Sequence, residues 1–441
     1  MKSLRVEIHR DLTYGHGLVQ RSSPEGPRPR PLKLDLYLPV LEASSEAEAE
    51  AEAESRIEVG WRNRGAARPA VVLAFGGAFH RGSKENDSFE GGSNTAIAEY
   101  CERLARRGYV ACAIDYRLVT EDPEPGATPV IASPQRIPTS RVDVVRRILG
   151  LPLATPDQLW RGIESASDDM AAAVHYLRTR AAEWQVDTDR IAVGGFSAGA
   201  RTALNAAFGE KAPIAAVLSL SGFVDAEDLK RHLRSAGGKG PATLLVSAED
   251  DLDYVRDATG RIAEQLSGAG LACEQVHVPG AGHFYPAEAP VTHREKNGTA
   301  LHTTLMQAID DFLDRALAAP PDAEMLQAFA DAFNRHDAEA LMRFMTPDCV
   351  FEASFGSEPC GARHVGTAAV RAAFEQTFAD YPDAQWRNAR HFVHGDRGVS
   401  EWTFTGTRAS DGREVEANGV DLFTFEGDRI RIKNSWRKQR S

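Results

Sequence analysis

Two segments near the start of the chain, RVEIHRDL (5–12) and LKLDLYLP (32–39), alternate apolar and polar residues. A period of two predicts strands with one buried face. The pattern then changes to short, nearly continuous apolar runs: AVVLAF (70–75), YVACAIDY (109–116), RIAVGGF (190–196), IAAVLSLSGF (214–223), ATLLVSA (242–248) and CEQVHVPG (273–280). Amphipathic stretches lie between them, such as NTAIAEYCERLARRG (94–108), SASDDMAAAVHYLRTRAAEW (165–184) and GRIAEQLSGAG (260–270). Strands apolar on both faces, alternating with helices, predict an α/β fold: a mostly parallel sheet with helices on both faces. The stretch 119–160 is too long for a plain connection and rich in Pro and Gly early on, so it is read as a lid over a site.

ALAAPPDAEM (316–325), with its paired prolines, reads as a linker. Beyond it helical patterns come first and alternating strands follow, an α+β order. A first domain over 1–318 and a second over 321–441 are therefore expected. Within the first, EASSEAEAEAEAES (42–55) carries six Glu and no base. Its alternation gives a helix no apolar face, so it is read as a solvated acidic low-complexity insertion.

Composition narrows the classes. The 441 residues are 42% hydrophobic and 26% charged, which suits a packed soluble core. The formal net charge is −12, of which six negative charges belong to 42–55. That balance argues against nucleic acid as a partner, since neutralising phosphates needs clustered Lys and Arg. No window reaches the roughly 18 uninterrupted apolar residues a membrane helix needs, and MKSLRVEIHRDLTYG lacks the apolar core of a signal peptide. The five cysteines, Cys101, Cys112, Cys273, Cys349 and Cys360, are scattered and form no CxxC pair. A reducing, cytoplasmic setting without disulfides or a zinc site is expected.

The candidate chemistry centres on IAVGGFSAGA (191–200). Gly195-Phe196-Ser197-Ala198-Gly199 fits G-x-S-x-G between a predicted strand and a predicted helix. A Cβ at either glycine would collide with the neighbouring strand or helix, and the sharp turn lifts the serine hydroxyl beside a helix N-terminus. A serine needs a base to take its proton and an acid to orient that base. LLVSAEDDLDYV (244–255) ends a strand in acids, and VPGAGHFYP (278–286) places His283 in a glycine-rich loop after the next strand. Aligning Ala248 with the glycine of a G-x-x-D loop favours Asp251, with Asp250 in reserve, while Asp253 is read as a helix cap. LAFGGAFHRGS (73–83) ends another strand in a Gly-Gly turn, so the N–H groups of Gly77 and Ala78, with that of Ala198, are the expected oxyanion donors. No metal or organic cofactor is required.

Taken together, FGGAF, IDYRL (114–118), the serine turn, the acid loop and GAGHFYP resemble the α/β-hydrolase superfamily in its esterase/lipase and carboxylesterase branches, over residues 5–318. The resemblance implies a serine carboxylic-ester hydrolase with a small-molecule ester as substrate. An amidase, formamidase or peptidase using the same residues stays open. The family's oxyanion loop carries a histidine where this chain has Phe75, so bracing must come from elsewhere, with Arg81 and Asp115 as candidates. Asp168 and Asp169 are read as solvated or capping acids.

AFADAFNRHDAEALMRFMTPDCVFEASFG (328–356) and the strand pattern of 398–436 resemble the nuclear-transport-factor-2-like superfamily in its SnoaL-like branch. The resemblance implies a cone of curved sheet and helices around an apolar pocket, and it leaves a homodimer open. An isomerase or cyclase centre there would need an acid–base residue inside the cone. Glu352, His391, Glu401 and Asp421 are the candidates. His336 is read as a surface or capping residue, and Trp386, Trp402 and Trp436 as wall and core.

Overall fold

The computed structural model describes residues 4–40, 67–86, 93–234, 239–294 and 300–438, and the acidic stretch 42–55 lies outside them. The chain divides into two compact units between Leu317 and Ala318. In the first, β1 (Arg5–Val19) and β2 (Arg28–Val40) form an antiparallel hairpin longer than the two alternating segments that predict it. The six apolar runs become β3 (Arg68–Ala74), β4 (Val110–Ile114), β5 (Val186–Phe196), β6 (Ala216–Leu220), β7 (Ala242–Asp250) and β8 (Cys273–Gly282). A further hairpin, β9 (Pro290–Arg294) and β10 (Ala300–Thr304), was not anticipated.

The sheet order is β1-β2-β4-β3-β5-β6-β7-β8-β9-β10, parallel from β4 to β8 and antiparallel at both margins. All of β4, and all of β3 beyond Arg68, is buried. Successive side chains point to opposite faces, so both faces of the sheet centre are covered. The helices of this unit are α1 (Ile97–Arg106), α2 (Ser140–Ile148), α3 (Pro156–Thr179), α4 (Ala198–Phe208), α5 (Ala226–Arg234), α6 (Asp253–Gly268) and α7 (Leu305–Ala316). Helix α3 begins nine residues before the predicted stretch. Thr155 caps it, Gln158 reaches back to the Thr155 N–H, and Pro156 takes the first turn. Asp253 does not cap α6; it is its first residue, paired with Arg256, and Leu252 holds the cap position.

One residue, Ser197, separates β5 from α4, at φ 54° and ψ −111°. The turn is pressed against the end of β3. A Cβ on Gly195 would lie 2.3 Å from the Ala74 carbonyl oxygen, and one on Gly199 would lie 2.0 Å from it. Both glycines are needed for space, as the motif implied.

The second unit holds a six-stranded sheet in the order β12-β11-β16-β15-β14-β13. The strands are β11 (Met345–Glu352), β12 (Arg363–Val365), β13 (Gln385–His394), β14 (Arg397–Thr407), β15 (Glu414–Glu426) and β16 (Arg429–Arg437). Only β11 and β16 run parallel. Three helices accompany it: α8 (Ala323–Asn334), α9 (Ala338–Arg343) and α10 (Thr367–Asp380). Asp322 and Asp337 cap α8 and α9 through their carboxylates. His336 is not a surface cap: its ring stacks on Phe378 at 4.5 Å and hydrogen-bonds the Ala384 carbonyl at 2.9 Å. Alternate residues of β14 and β15 (Trp402, Phe404, Phe423, Phe425) are buried, which gives the sheet one apolar face.

No helix among the described residues is long and apolar enough to cross a membrane. All five cysteines are free thiols.

The glycine packing makes a paired prediction. Gly199→Ala forces backbone apart and is expected to destabilise by ~3 kcal/mol or more. Gly260→Ala, inside α6 with open space around it, is expected to stabilise by about 0.5–1 kcal/mol. Urea unfolding of the two variants beside the parent checks both.

Candidate active site

The C-terminal ends of β5, β7 and β8 bring three side chains together. Ser197 Oγ lies 2.9 Å from His283 Nε2, and His283 Nδ1 lies 2.6 Å from Asp251 Oδ1. Asp251 follows β7 directly, and His283 follows β8. The hydroxyl and the carboxylate thus meet the two different nitrogens of one ring. Asp250 does not join them. It is exposed, opposite Gly282 at the last pairing of β7 with β8, and neighbouring strand residues point to opposite sides.

Asp251 is buried and fully engaged. Its Oδ1 also accepts the Leu252 N–H at 2.8 Å, while Oδ2 accepts the Ser221 hydroxyl at 2.5 Å and the Ala248 N–H at 3.2 Å. Burial alone would raise its pKa, but the hydrogen bond and charge of His283, with Ser221 and the Ala248 N–H, bring it below the usual carboxylate value. Behind Ser221 stands the Tyr285 hydroxyl at 2.8 Å, whose pKa burial pushes well up, so it remains a donor. Two carboxylate bonds thus fix the acid from one side and the imidazole from the other. Sequence reasoning missed Ser221 and Tyr285. The only signal was their position at the ends of strands adjoining the serine turn.

The glycine turn after β3 is held by its carbonyls. Gly77 sits at φ 122°, Ala78 at 55° and Phe79 at 61°. The His80 N–H donates to the Gly77 carbonyl at 3.1 Å, His80 Nδ1 to the Ala78 carbonyl at 2.6 Å, and the Val119 N–H to the Phe79 carbonyl at 2.9 Å. Arg146 Nη1 donates to His80 Nε2 at 2.9 Å, which fixes the ring's tautomer; burial and then the Arg146 charge lower its pKa, so it stays neutral. Where the resemblance implies a histidine, Phe75 stacks on Tyr116 at 4.3 Å, and the Tyr116 hydroxyl donates to the Phe75 carbonyl at 2.8 Å. The expected brace Asp115 instead accepts the Lys84 N–H, beyond the turn. With the Phe75, Gly77, Ala78 and Phe79 carbonyls anchored, the intervening N–H groups have set directions. Ala198 contributes a further N–H, because the first turn of a helix has no internal acceptor for its donors.

Ala78, Phe79 and Ala198 border a cavity of about 40 Å³ beside Ser197. The stretch 119–160 supplies much of its wall through Ile137, Pro138, Arg141, Val142 and Leu159. Acids on α3 and α5 anchor that stretch. Glu164 accepts the Val130 and Ile131 N–H groups at 2.8 and 2.7 Å, Asp168 accepts that of Gly126 at 2.7 Å, and Asp228 that of Ala132 at 3.0 Å. Burial raises the Glu164 pKa to about 7 against those donors. Asp169 is not solvated either. It is 1% exposed and forms a bidentate pair with Arg117.

In the second unit the strand register separates the four candidates. Glu401 pairs with Val420 and is exposed, and Trp436, also paired with Val420, is 54% exposed. This puts Glu401 outside and corrects the reading of Trp436 as wall. Asp421, between Ser400 and Ser435, faces inward and is buried. Lys433 donates to Asp421 Oδ1 at 2.8 Å, Ser435 to the same oxygen at 2.5 Å, and Trp402 Nε1 to Oδ2 at 3.0 Å. His391 bonds Ser400 and Gln327, and Glu352 lies 3.7 Å from Arg363. A cavity of about 820 Å³ reaches Lys433 and is walled by Phe333, Phe351, Phe374, Trp386, Trp402 and Phe404 among others. Lys433, unnoticed in the sequence, lies over the Phe333 and Phe351 rings at 5.3 and 5.0 Å.

Known proteins place both units. Residues 162–246 match the BD-FAE family, and residues 326–432 match the SnoaL-like domain family. No curated protein matches the sequence. Among solved structures, a thermophilic esterase from the Planctomycetes species Thermogutta terrifontis, with propionate bound, is 18% identical over 64% of this chain and 85% of its own, with a TM-score of 0.38. The apo form of esterase 2 from Thermogutta terrifontis is 17% identical over 71% and 92%, also at 0.38. A polyketide cyclase candidate from Xanthomonas campestris pv. campestris is 21% identical over 26% and 88%, at 0.24. The two family matches and the sheet topology show an α/β-hydrolase-type domain with a BD-FAE match, followed in this chain by a C-terminal SnoaL-like domain.

Proposed function

We propose that the first domain is a serine hydrolase of carboxylic esters, cleaving a small-molecule ester through an acyl-enzyme. The observation that carries this reading is the unbroken hydrogen-bonded series from the Ser197 hydroxyl through His283 to Asp251. His283 Nε2 takes the serine proton as Oγ attacks the ester carbonyl, and it returns that proton to the departing alcohol. Asp251 holds the ring by Nδ1 and stabilises the imidazolium, with Ser221 and Tyr285 keeping the carboxylate in place. The backbone N–H groups of Gly77, Ala78 and Ala198 receive the oxyanion. Water then attacks the acyl-enzyme with His283 again as base. Amides would pass through the same steps with a poorer leaving group, so matched ester and amide substrates separate the two uses.

For the second domain the geometry favours binding over acid–base chemistry. Three donors occupy the Asp421 oxygens, Glu401 lies outside, and the cavity walls are aromatic. A carboxylate that accepts three donors, one of them a lysine ammonium, is a weak base.

Ser197→Ala and His283→Ala are each expected to lower hydrolysis of p-nitrophenyl acetate by about a million-fold in kcat. A fluorophosphonate probe should label Ser197 in the parent and nothing in Ser197→Ala. Unlabelled Ser197 with intact turnover would overturn the reading. Asp251→Asn is expected to cost about 10⁴-fold by spoiling the tautomer, whereas Asp250→Asn should leave kcat/KM within about twofold. In the second domain, Lys433→Met strands Asp421 in a buried site and is expected to destabilise by ~3–5 kcal/mol. The double variant Lys433→Met/Asp421→Leu should recover most of that loss in urea unfolding.

A further inference from the structure

Arg201 lies four residues after Ser197, on the first turn of α4, and is only 7% exposed. A guanidinium presents five N–H donors and stays charged. None of the described residues forms an ion pair or a hydrogen bond with that of Arg201, and its buried Nε has no acceptor. Its neighbour is the Phe223 ring, 5.2 Å away. The acids of the region are committed elsewhere. Asp251 serves His283 and Ser221, Glu164 serves Val130 and Ile131, Asp228 serves Ala132 and Arg231, and Asp225 serves Glu227 and Arg136. Burial lowers the Arg201 pKa to about 10, and the charges of Tyr254, Asp228, Asp225 and Glu164 offset that only in part.

This unmatched cation borders the small cavity that holds Ser197. Arg141 lines the same cavity, its guanidinium over the Phe284 ring at 5.2 Å and likewise without an acceptor among the described residues. Tyr254 completes that wall, and no acid lines the cavity. Burying a cation without a partner is costly, and a fold keeps one where something else supplies the counter-charge. At about 40 Å³ the space is small, since one water needs ~10–15 Å³ by the same measure. It suits a compact planar anion and not an extended acyl chain. Residues four apart at a helix start are neighbours, so the anion would sit within a few bonds of the carbonyl that Ser197 attacks.

Resting on the hydrolase reading, we propose that the substrate carries a carboxylate, and that Arg201, with Arg141 beside it, binds that group next to Ser197. The substrate class is a carboxylate-bearing ester, with the charge on the acyl side (a half-ester of a short dicarboxylic acid) or on the leaving group (an acylated hydroxy acid).

The test compares kcat/KM for p-nitrophenyl hydrogen succinate with p-nitrophenyl butyrate, and for 4-acetoxybenzoate with phenyl acetate. The parent should favour the charged member of one pair by tenfold or more, and which pair identifies the side bearing the charge. Arg201→Met should cut kcat/KM for that charged ester about a hundredfold more than for its neutral match. Arg201→Lys should restore part of the preference. A parent indifferent to charge in both pairs, or an Arg201→Met loss equal on charged and neutral esters, overturns the proposal and leaves Arg201 a structural cation. Should Arg201→Met not fold, inhibition of the parent decides. Succinamate, the half-amide with one carboxylate, should inhibit at least tenfold more tightly than succinamide, and equal inhibition overturns the proposal. Fluorophosphonate capture at Ser197 reports on the hydrolase reading separately, since it needs no carboxylate.

Discussion

The carbonyl oxygen of Ala74 fixes the geometry of the first domain's site. It closes β3 at the point where β5 turns into α4, and it fills the volume that a side chain on Gly195 or Gly199 would need. That contact sets how near the β3 turn, with Gly77 and Ala78, can come to the serine turn. It also forces Ser197 to φ 54°, a conformation that costs of order 1–3 kcal/mol for a residue with a Cβ. The strain is borne by packing on every side. The Ser197 N–H is tied to the Leu220 carbonyl at 2.7 Å, and the glycine turn is tied through the carbonyls of Gly77, Ala78 and Phe79. The hydroxyl is thereby presented to His283 by backbone alone, and no mobile segment has to close for the 2.9 Å contact to form.

Around that fixed point the polar groups divide into satisfied and unsatisfied. Asp251 has four donors, Asp169 has the forked guanidinium of Arg117, and Glu164 has two backbone N–H groups. These groups secure the wall over the cavity, so the long stretch that reads as a lid from its length and composition is anchored along its first half. Arg201 stands apart because its neighbours spend their charge on this anchoring. The same acids that hold the wall leave the cation at the cavity without a protein counter-ion.

The strand grammar was legible because burial on both faces of a parallel sheet leaves an unbroken apolar record, and each of the six runs is a strand. The serine turn was legible because steric exclusion leaves glycines at fixed positions. The acid was narrowed by the G-x-x-D alignment to Asp251, with Asp250 in reserve, and burial separates the two. The rest needed three dimensions. Ser221 and Tyr285 are unremarkable in sequence and meet Asp251 only because β6, β7 and β8 are adjacent. His80 replaces the expected brace through a bond to a carbonyl two residues back, a contact with no composition signal. In the second domain, periodicity places Glu401 and Asp421 in strands but cannot set their faces. The β14–β15–β16 register does so, and it also turns Lys433 from one more charged residue into the partner of a buried acid.

Charge completes the picture of recognition in the first domain. The chain carries a formal −12, so its long-range field repels an anionic substrate and gives no help to the encounter. A carboxylate would gain only at short range, where two arginines face a cavity without acids and low-dielectric walls strengthen each attraction many-fold over water. Recognition placed there acts after docking and beside the reacting carbonyl. It orients the ester for Ser197 instead of collecting it from solution, so discrimination would arise at the attack itself, where the same contacts also position the transition state.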